Sequence, residues 1–363
     1  MLSYSHYEKR RAHALELMQI GLTAIEPRRV TRQAIRQLQG ELNLEGCTVF
    51  AFGKAALGMA QGLLDEIKPQ KGIVHCFEQG QLGPLKLVKS AHPMPATDAA
   101  QRGRELYELA QTLMSDEIAI CLVSGGGSAM LEYPKPGISM AYIKKESDRL
   151  MKAGATINVL NARRMELSAI KNGGLAQAIR PAKVITILMS DTPGAPLETV
   201  ASGPTLPSDR TIIAADHLTL QKAILSAEPS LRPLPTLLAG EARVLGASLA
   251  QQKAGFIATG ETTVSVVGQG RGGRNHELIL GALQYWRHKK QSNGLLLSIG
   301  TDGIDGSSDA AGAFCDEEIL TRAPDPTPSL LHNDAHHYFK ALDAQIKTGP
   351  TGSNVADLVI SLP

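Results

Sequence analysis

The sequence predicts an α/β fold: a larger N-terminal domain built on a parallel sheet with helices on both faces, and a smaller α/β C-terminal domain. Three observations carry this. The 363 residues exceed what one ordinary core organises. Short apolar runs rich in strand formers alternate with helix-spaced segments between residues 47 and 189, the pattern of a parallel sheet. A Pro- and Gly-rich stretch at 192–240 then precedes a second series of strands and helices, so the expected domains are 1–240 and 241–363.

Taken in order, residues 5–40 carry Ala14, Leu15, Leu17, Met18, Leu22 and Ile25 at helical spacing. CTVFAF (47–52) reads as a strand, Gly53-Lys54 as a tight turn, and AALGMAQGLLDEI as a helix. Strands are expected at 72–77 and 85–90, then a helix at 98–116 with Asp98 as N-cap. The strand EIAICLV (117–123) runs directly into SGGGSA; helical pieces fill 139–180, and KVITILM (183–189) ends at Ser190-Asp191. In the second domain strands are expected at 255–259, 262–267 and 294–300, helices at 275–288 and 333–346, and a closing strand DLVISL.

Composition narrows the function. A net charge of +2 with 20% charged residues offers no basic surface for nucleic acid or an anionic membrane. One Trp and six Phe argue against base-stacking platforms. Cys47, Cys76, Cys121 and Cys315 form no CxxC and no zinc spacing, so buried, reduced thiols are expected. The opening MLSYSHYEKRRAHALELMQ lacks an apolar core for a secretory signal, and no apolar run approaches the ~18 residues of a membrane span. A cytoplasmic protein is the expectation.

Ligands of doubly wound sheets bind at the carboxyl ends of strands, and the chemistry-bearing loops fall there. Gly53-Lys54 opens a helix, where free N–H groups and a lysine suit phosphate; an exposed surface lysine is the plainer alternative. Ser124-Gly125-Gly126-Gly127-Ser128 lets the backbone approach a ligand and supplies two hydroxyls, or else is simply a flexible turn. Asp191 at a strand end suits a metal ion or a hydroxyl proton, and equally a turn cap. Gly268-Gln-Gly270-Arg271-Gly272-Gly273 matches GxGxxG, but no acid follows at the ribose-binding distance, and Arg271 and Arg274 point to anion binding instead. Gly260-Glu261-Thr262-Thr263 adds a carboxylate and hydroxyls nearby in sequence. Thr301-Asp302-Gly303-Ile304-Asp305-Gly306 is a metal candidate or an Asp-Gly turn. His92, in Ser90-Ala91-His92-Pro93, reads as structural. GxxxxGK[ST], GxSxG and HExxH do not occur.

At these loops the sequence resembles the glycerate 2-kinase family with a C-terminal MOFRL domain. The matching pieces include FGKAALGMA (52–60), LVSGGGSAML (122–131), LSAIKNGGLA (167–176), SDTPG…LETVASGPT (190–205), GETTVSV (260–266), GRGGRNHELIL (270–280), GTDGIDGSSDAAGA (300–313) and TGPTGSNVADL (348–358). They run in family order over nearly the whole chain. The resemblance implies a Rossmann-like N-terminal domain and a smaller MOFRL-type C-terminal α/β domain. It implies ATP and Mg2+, a small hydroxy acid as substrate, and transfer to the C2 hydroxyl of D-glycerate. By matching positions, Lys54, Asp191, Glu261 and Arg274 would be catalytic, with Asp191 and Glu261 holding the metal. Ser124, Gly125, Gly126, Gly127, Ser128, Asn275 and Asp302 would bind the nucleotide. The chain departs from the family pattern at Ala195, Met165, Glu166, Gly174 and Ala356, which leaves a changed acceptor or a lost activity as alternatives. An NAD(P)H-dependent hydroxypyruvate reductase is the other reading. Self-association into a homodimer is left open.

Overall fold

The structure, a computed structural model, describes residues 4–90, 99–155 and 157–363. The chain forms two compact units: Pro27–Ala215, and Asp216–Pro363 together with Met1–Glu26. Asp98 and His92, assigned from sequence to a cap and a structural role, lie outside the described residues.

The chain begins with α1 (Tyr4–Ala24), then enters the first unit through α2 (Pro27–Gln39), β1 (Thr48–Phe52) and α3 (Ala56–Leu64). β2 (Lys71–Cys76), β3 (Gly80–Leu82), β4 (Leu85–Lys89) and α4 (Ala99–Ala110) follow. β5 (Ile118–Ser124), α5 (Gly127–Met130), α6 (Met140–Lys152), α7 (Ile157–Leu167) and α8 (Gly174–Ile179) lead to β6 (Lys183–Met189). A 3-10 turn at Leu197–Ser202 precedes β7 (Arg210–Ala215).

The sheet order is β3-β4-β2-β1-β5-β6-β7. Every pairing is parallel except that of β3 with β4. The strand faces bury Phe50, Phe52, Cys121, Val123, Val184 and Leu188 with Leu106, Ile170 and Ile179 from the covering segments. Near-continuous apolar strands are what a parallel sheet covered on both faces requires. The predicted α/β class and its parallel sheet are therefore present. β7 was not anticipated: Arg210, Thr211 and Ile213 are exposed on this edge strand, so its sequence carries no buried run.

The second unit contains α9 (His217–Ala227), β8 (Arg232–Pro233), α10 (Ala242–Leu249), β9 (Phe256–Gly260), α11 (Arg274–Lys289), β10 (Leu295–Gly300) and β11 (Gly312–Cys315). It closes with α12 (Glu317–Arg322), α13 (Thr327–Leu331), α14 (Ala335–Ala341), β12 (Gln345–Ile346) and β13 (Asp357–Leu362). Its sheet order is β12-β11-β10-β13-β9-β8, with β13 antiparallel to both β9 and β10. Trp286, Leu278, Phe256, Leu296 and Phe339 fill the core, and the Trp286 indole N–H donates to the Ala250 carbonyl at 3.0 Å.

The structure differs from the sequence expectations at three points. The compact units divide at 215/216 rather than 240/241, and α1 joins the second unit. Arg11 explains the second point: it grips Asp316 with two bonds of 2.7 and 2.9 Å, reaches Glu318 at 2.6 Å, and lies over the Phe314 ring. Arg10 pairs with Glu317, and Gly21 lets α1 pass close to Leu220 and Ile224 of α9. Local periodicity shows that a helix exists but not which distant segment it covers. The strand expected at 262–267 is also absent; Thr263 makes only one bridge, to Glu241. The four cysteines are free and buried, as expected.

Candidate functional site

In the first unit the chain turns from β1 towards β2 on one side of the sheet and from β5 towards β6 on the other. The crevice at the carboxyl ends of β1 and β5 is thus the topological switch point. Gly53-Lys54 and Ser124–Ser128 both sit there. The Lys54 N–H donates to the Gly125 carbonyl at 2.9 Å, and the Ala55 N–H donates to Ser124 Oγ at 3.0 Å. Gly53 has φ of 118°, and a Cβ on it would lie 2.3 Å from Ser124 Oγ, so this close approach needs glycine.

β6 lies beside β5, which brings Asp191 to the same edge. A Cβ on Gly125 would lie 1.8 Å from Asp191 Oδ2, so the carboxylate rests directly against the glycine loop. Ser128 Oγ meets Ser202 Oγ at 2.8 Å. Lys54, Asp191 and Ser128 are half-buried. The structure therefore brings together three predicted groups far apart in sequence. Ser202, from the 3-10 turn, joins them without having been predicted, although the segment LETVASGPT that carries it is among the pieces matching the family.

In the second unit β13 runs between β9 and β10 in the opposite sense, placing Asp357 level with Gly260 on one side and Gly300 on the other. The Glu261 and Thr301-Asp302 turns flank it. Arg274, the first residue of α11, is ion-paired with Asp357, its Nε 2.7 Å from Oδ2, and donates Nη2–H to Oδ1 at 3.0 Å. Its Nη1 donates to Glu261 Oε1 at 2.6 Å. Burial works against the guanidinium charge, but Asp357 and Glu261 outweigh it and hold the Arg274 pKa above its ordinary value. Asp357 is 1% exposed, and burial pushes its carboxyl up to about 6 despite the opposing pull of Arg274.

Asn275 and Asp305 complete the network. Asp305 accepts from the backbone N–H groups of Asn275 (3.0 Å) and His276 (2.8 Å) and contacts His276 Nδ1 at 2.6 Å. The Asn275 amide donates to Asp305 and Asp357 and accepts from Ser298 Oγ at 2.6 Å. At 2% exposure, Asn275 has its side chain engaged inside the protein. Asp302 Oδ1 accepts from the Ile304 N–H at 3.2 Å, the hydrogen bond of an Asp-Gly turn. Asp357 was not anticipated as a site residue, and Asp305, read from sequence as one of a pair of acids for a metal, instead braces the start of α11. Asp357 opens an ordinary apolar strand, and its pairing is visible only once β13 lies between β9 and β10.

The GxGxxG match finds no dinucleotide setting. Cβ atoms on Gly268 and Gly270 would strike His332 and Asp334, and one on Gly273 would strike Asp305. Arg271 donates to the Ser307 carbonyl at 2.9 Å. Packing of the loop onto its own unit is enough to require glycine at 268, 270 and 273. Among the described residues, no group of three or more His, Cys, Asp or Glu is arranged to hold a metal ion. Of the departures, Ala195 and Glu166 are exposed, the latter paired with Arg163 at 2.8 Å. Gly174 has no room for a side chain, since a Cβ would lie 2.2 Å from the Ala169 carbonyl oxygen.

Fold and geometry define the class: a two-unit α/β protein whose candidate residues gather at one sheet edge in each unit. Residues 13–233 match the family described as domain of unknown function (DUF4147), and residues 254–357 match the MOFRL family. The chain is 31% identical to D-glycerate 2-kinase of Thermotoga maritima, covering 96% of this chain and 97% of that protein. It is 32% identical to a putative hydroxypyruvate reductase of Agrobacterium vitis over 86% of this chain and 98% of the relative. The crystal structure of glycerate kinase from Thermotoga maritima superposes with a TM-score of 0.88 at 29% identity, covering 98% of this chain and 99% of that one. The chain belongs to the glycerate 2-kinase family. Among the described residues no helix is long and apolar enough to cross a membrane.

Proposed function

We propose that this protein is a cytoplasmic ATP-dependent kinase that phosphorylates D-glycerate at its C2 hydroxyl, giving 2-phosphoglycerate and ADP. The observation that carries the reading is the convergence of Lys54, the Ser124–Ser128 loop and Asp191 on one switch point. Phosphoryl transfer asks mainly for positioning and for neutralisation of charge, and this edge offers both.

In this mechanism the glycine loop holds nucleotide phosphates through backbone N–H groups and the Ser128 hydroxyl. Lys54 neutralises phosphate charge. Asp191 accepts the proton of the acceptor hydroxyl as that oxygen bonds to the γ-phosphorus; the bond to the β–γ bridging oxygen breaks and ADP leaves. Arg274, oriented by Asp357 and Glu261, neutralises a carboxylate or phosphoryl group. A bound Mg2+ would supply charge neutralisation on the phosphates. The chemistry of the donors fits it: Mg2+ takes one or two carboxylates plus substrate phosphates, and the Asp191 carboxylate lies against the phosphate-loop backbone. Asp191 is the proposed metal carboxylate of the first unit and Glu261 that of the second.

A hydroxypyruvate reductase would need a dinucleotide loop, and the glycines of 268–273 are occupied by packing. The test is ADP release with ATP and Mg2+, with and without D-glycerate, followed by NMR of the product. Glycerate-dependent ADP and a 2-phosphoglycerate signal are expected. Hydroxypyruvate-dependent oxidation of NAD(P)H with no ADP release would replace this reading by the reductase.

A further inference from the structure

Ala201, Ser202 and Gly203 have φ of 51°, 66° and 57°, a run of left-handed backbone that is strained at the first two positions. Both non-glycine residues are buried, at 7% and 8% exposure. Backbone bonds hold the run in place: Asn172 N–H to Ser202 O (2.9 Å), Gly173 N–H to Gly203 O (2.8 Å) and Ala176 N–H to Pro204 O (3.0 Å). None of these uses the Ser202 side chain, and a glycine at 202 would adopt the same backbone without a steric penalty. Among the described residues the side chain makes one hydrogen bond, with Ser128 Oγ at 2.8 Å. When two hydroxyls bond to each other, one O–H is consumed and one remains. Whichever serine donates, the pair keeps one O–H with no partner among the described residues, at the end of the glycine loop.

We propose that Ser202 is a positioning residue for nucleotide binding: the strained turn aims its hydroxyl at Ser128, so that the pair presents a single fixed O–H to a phosphate oxygen. This rests on the reading of residues 124–128 as the phosphate loop. The experiment is calorimetric titration with ATP and Mg2+, without acceptor, alongside thermal melting. The proteins are wild type, Ser202→Gly, Ser202→Ala, Ser128→Ala and the double Ser128→Ala/Ser202→Ala. Each single variant is expected to bind ATP about tenfold more weakly, the loss of one hydrogen bond. The double variant should bind no more weakly than Ser128→Ala alone. Ser202→Gly should melt no lower than wild type while still losing affinity, a split that a purely structural serine would not give. Wild-type affinity in Ser202→Gly, or additive losses in the double variant, would overturn the inference while leaving the kinase reading intact. A wild-type protein that binds no ATP would remove the nucleotide reading and this inference with it.

Discussion

The doubly wound unit and the mixed-sheet unit build their sheet edges from different materials. In the first, the groups are largely backbone: Gly53 and Gly125 bring chain segments within hydrogen-bonding distance, and the strained Ala201-Ser202 turn presses on the loop. In the second, the edge is made of buried side chains, with Asp357, Arg274, Asn275 and Asp305 bonded to one another. A backbone edge is shaped by which side chains are absent. A side-chain edge is shaped by charge, and removing one member strands the others. One buried group in each unit responds to acid with the opposite sign. His75 of the first is held neutral by burial, and burial makes Asp357 of the second favour its proton.

The largest effect is expected at Arg274. Arg274→Ala should lower kcat/KM for glycerate by about 10^3-fold, the scale for losing a fixed donor to developing charge. An activity within tenfold of wild type would reduce the network to a structural device. Next comes Asp357, whose pKa rises from an ordinary 3.8 to about 6 on burial. Folding then takes up a proton, so this group's stabilisation is full below pH 3.8 and is lost as pH rises towards 6, about 3 kcal/mol in all. The unfolding free energy of wild type minus that of Asp357→Asn should therefore fall between pH 4 and 6 and flatten above. A difference independent of pH would sink the assignment.

His75 predicts the opposite slope. It is 0% exposed, its Nδ1 lies 3.1 Å from Ser90 Oγ, and burial, helped by Arg102 and Lys86, lowers its pKa from 6.5 to about 3. The neutral ring is what folding selects, so its contribution is full above pH 6.5 and declines as pH falls, by about 2 kcal/mol at pH 5. Comparing His75→Gln with wild type by denaturant unfolding at pH 7.5 and pH 5 checks this. The variant should lose less stability on acidification, and equal losses would remove His75 as the cause.

What the sequence disclosed follows from the same contrast. Strands β1, β5 and β6 are continuous buried apolar runs, so the parallel sheet and the loops at their ends were legible, and Lys54, the 124–128 loop and Asp191 fell out of strand-end logic. Asp357 was not, because its role comes from antiparallel register, and Asp305 was legible as a candidate acid but not in its role, which comes from a loop folding back onto the start of α11. The GxGxxG string shows the converse: glycines that resemble a cofactor loop are required by His332, Asp334 and Asp305. The joining of α1 to the second unit depends on Arg11 meeting Asp316, a contact spanning most of the chain.

The smallest effect tests whether strain in the backbone edge is real. Ala201 holds φ of 51° at 7% exposure, so Ala201→Gly relieves a left-handed methyl. The relief is about 1–2 kcal/mol, offset by about 0.5–1 kcal/mol of added chain freedom in the unfolded state. A net gain of about 0.5–1 kcal/mol remains, near the limit of a careful denaturant melt. The methyl is not idle, however: a Cβ on Gly127 would lie 2.9 Å from it, so Ala201 and Gly127 are in close register. If Ala201→Gly destabilises by more than about 1 kcal/mol, packing between the turn and the glycine loop outweighs strain. The first unit's edge would then be held by side-chain contact, as the second's is, and the contrast between the two would narrow to charge alone.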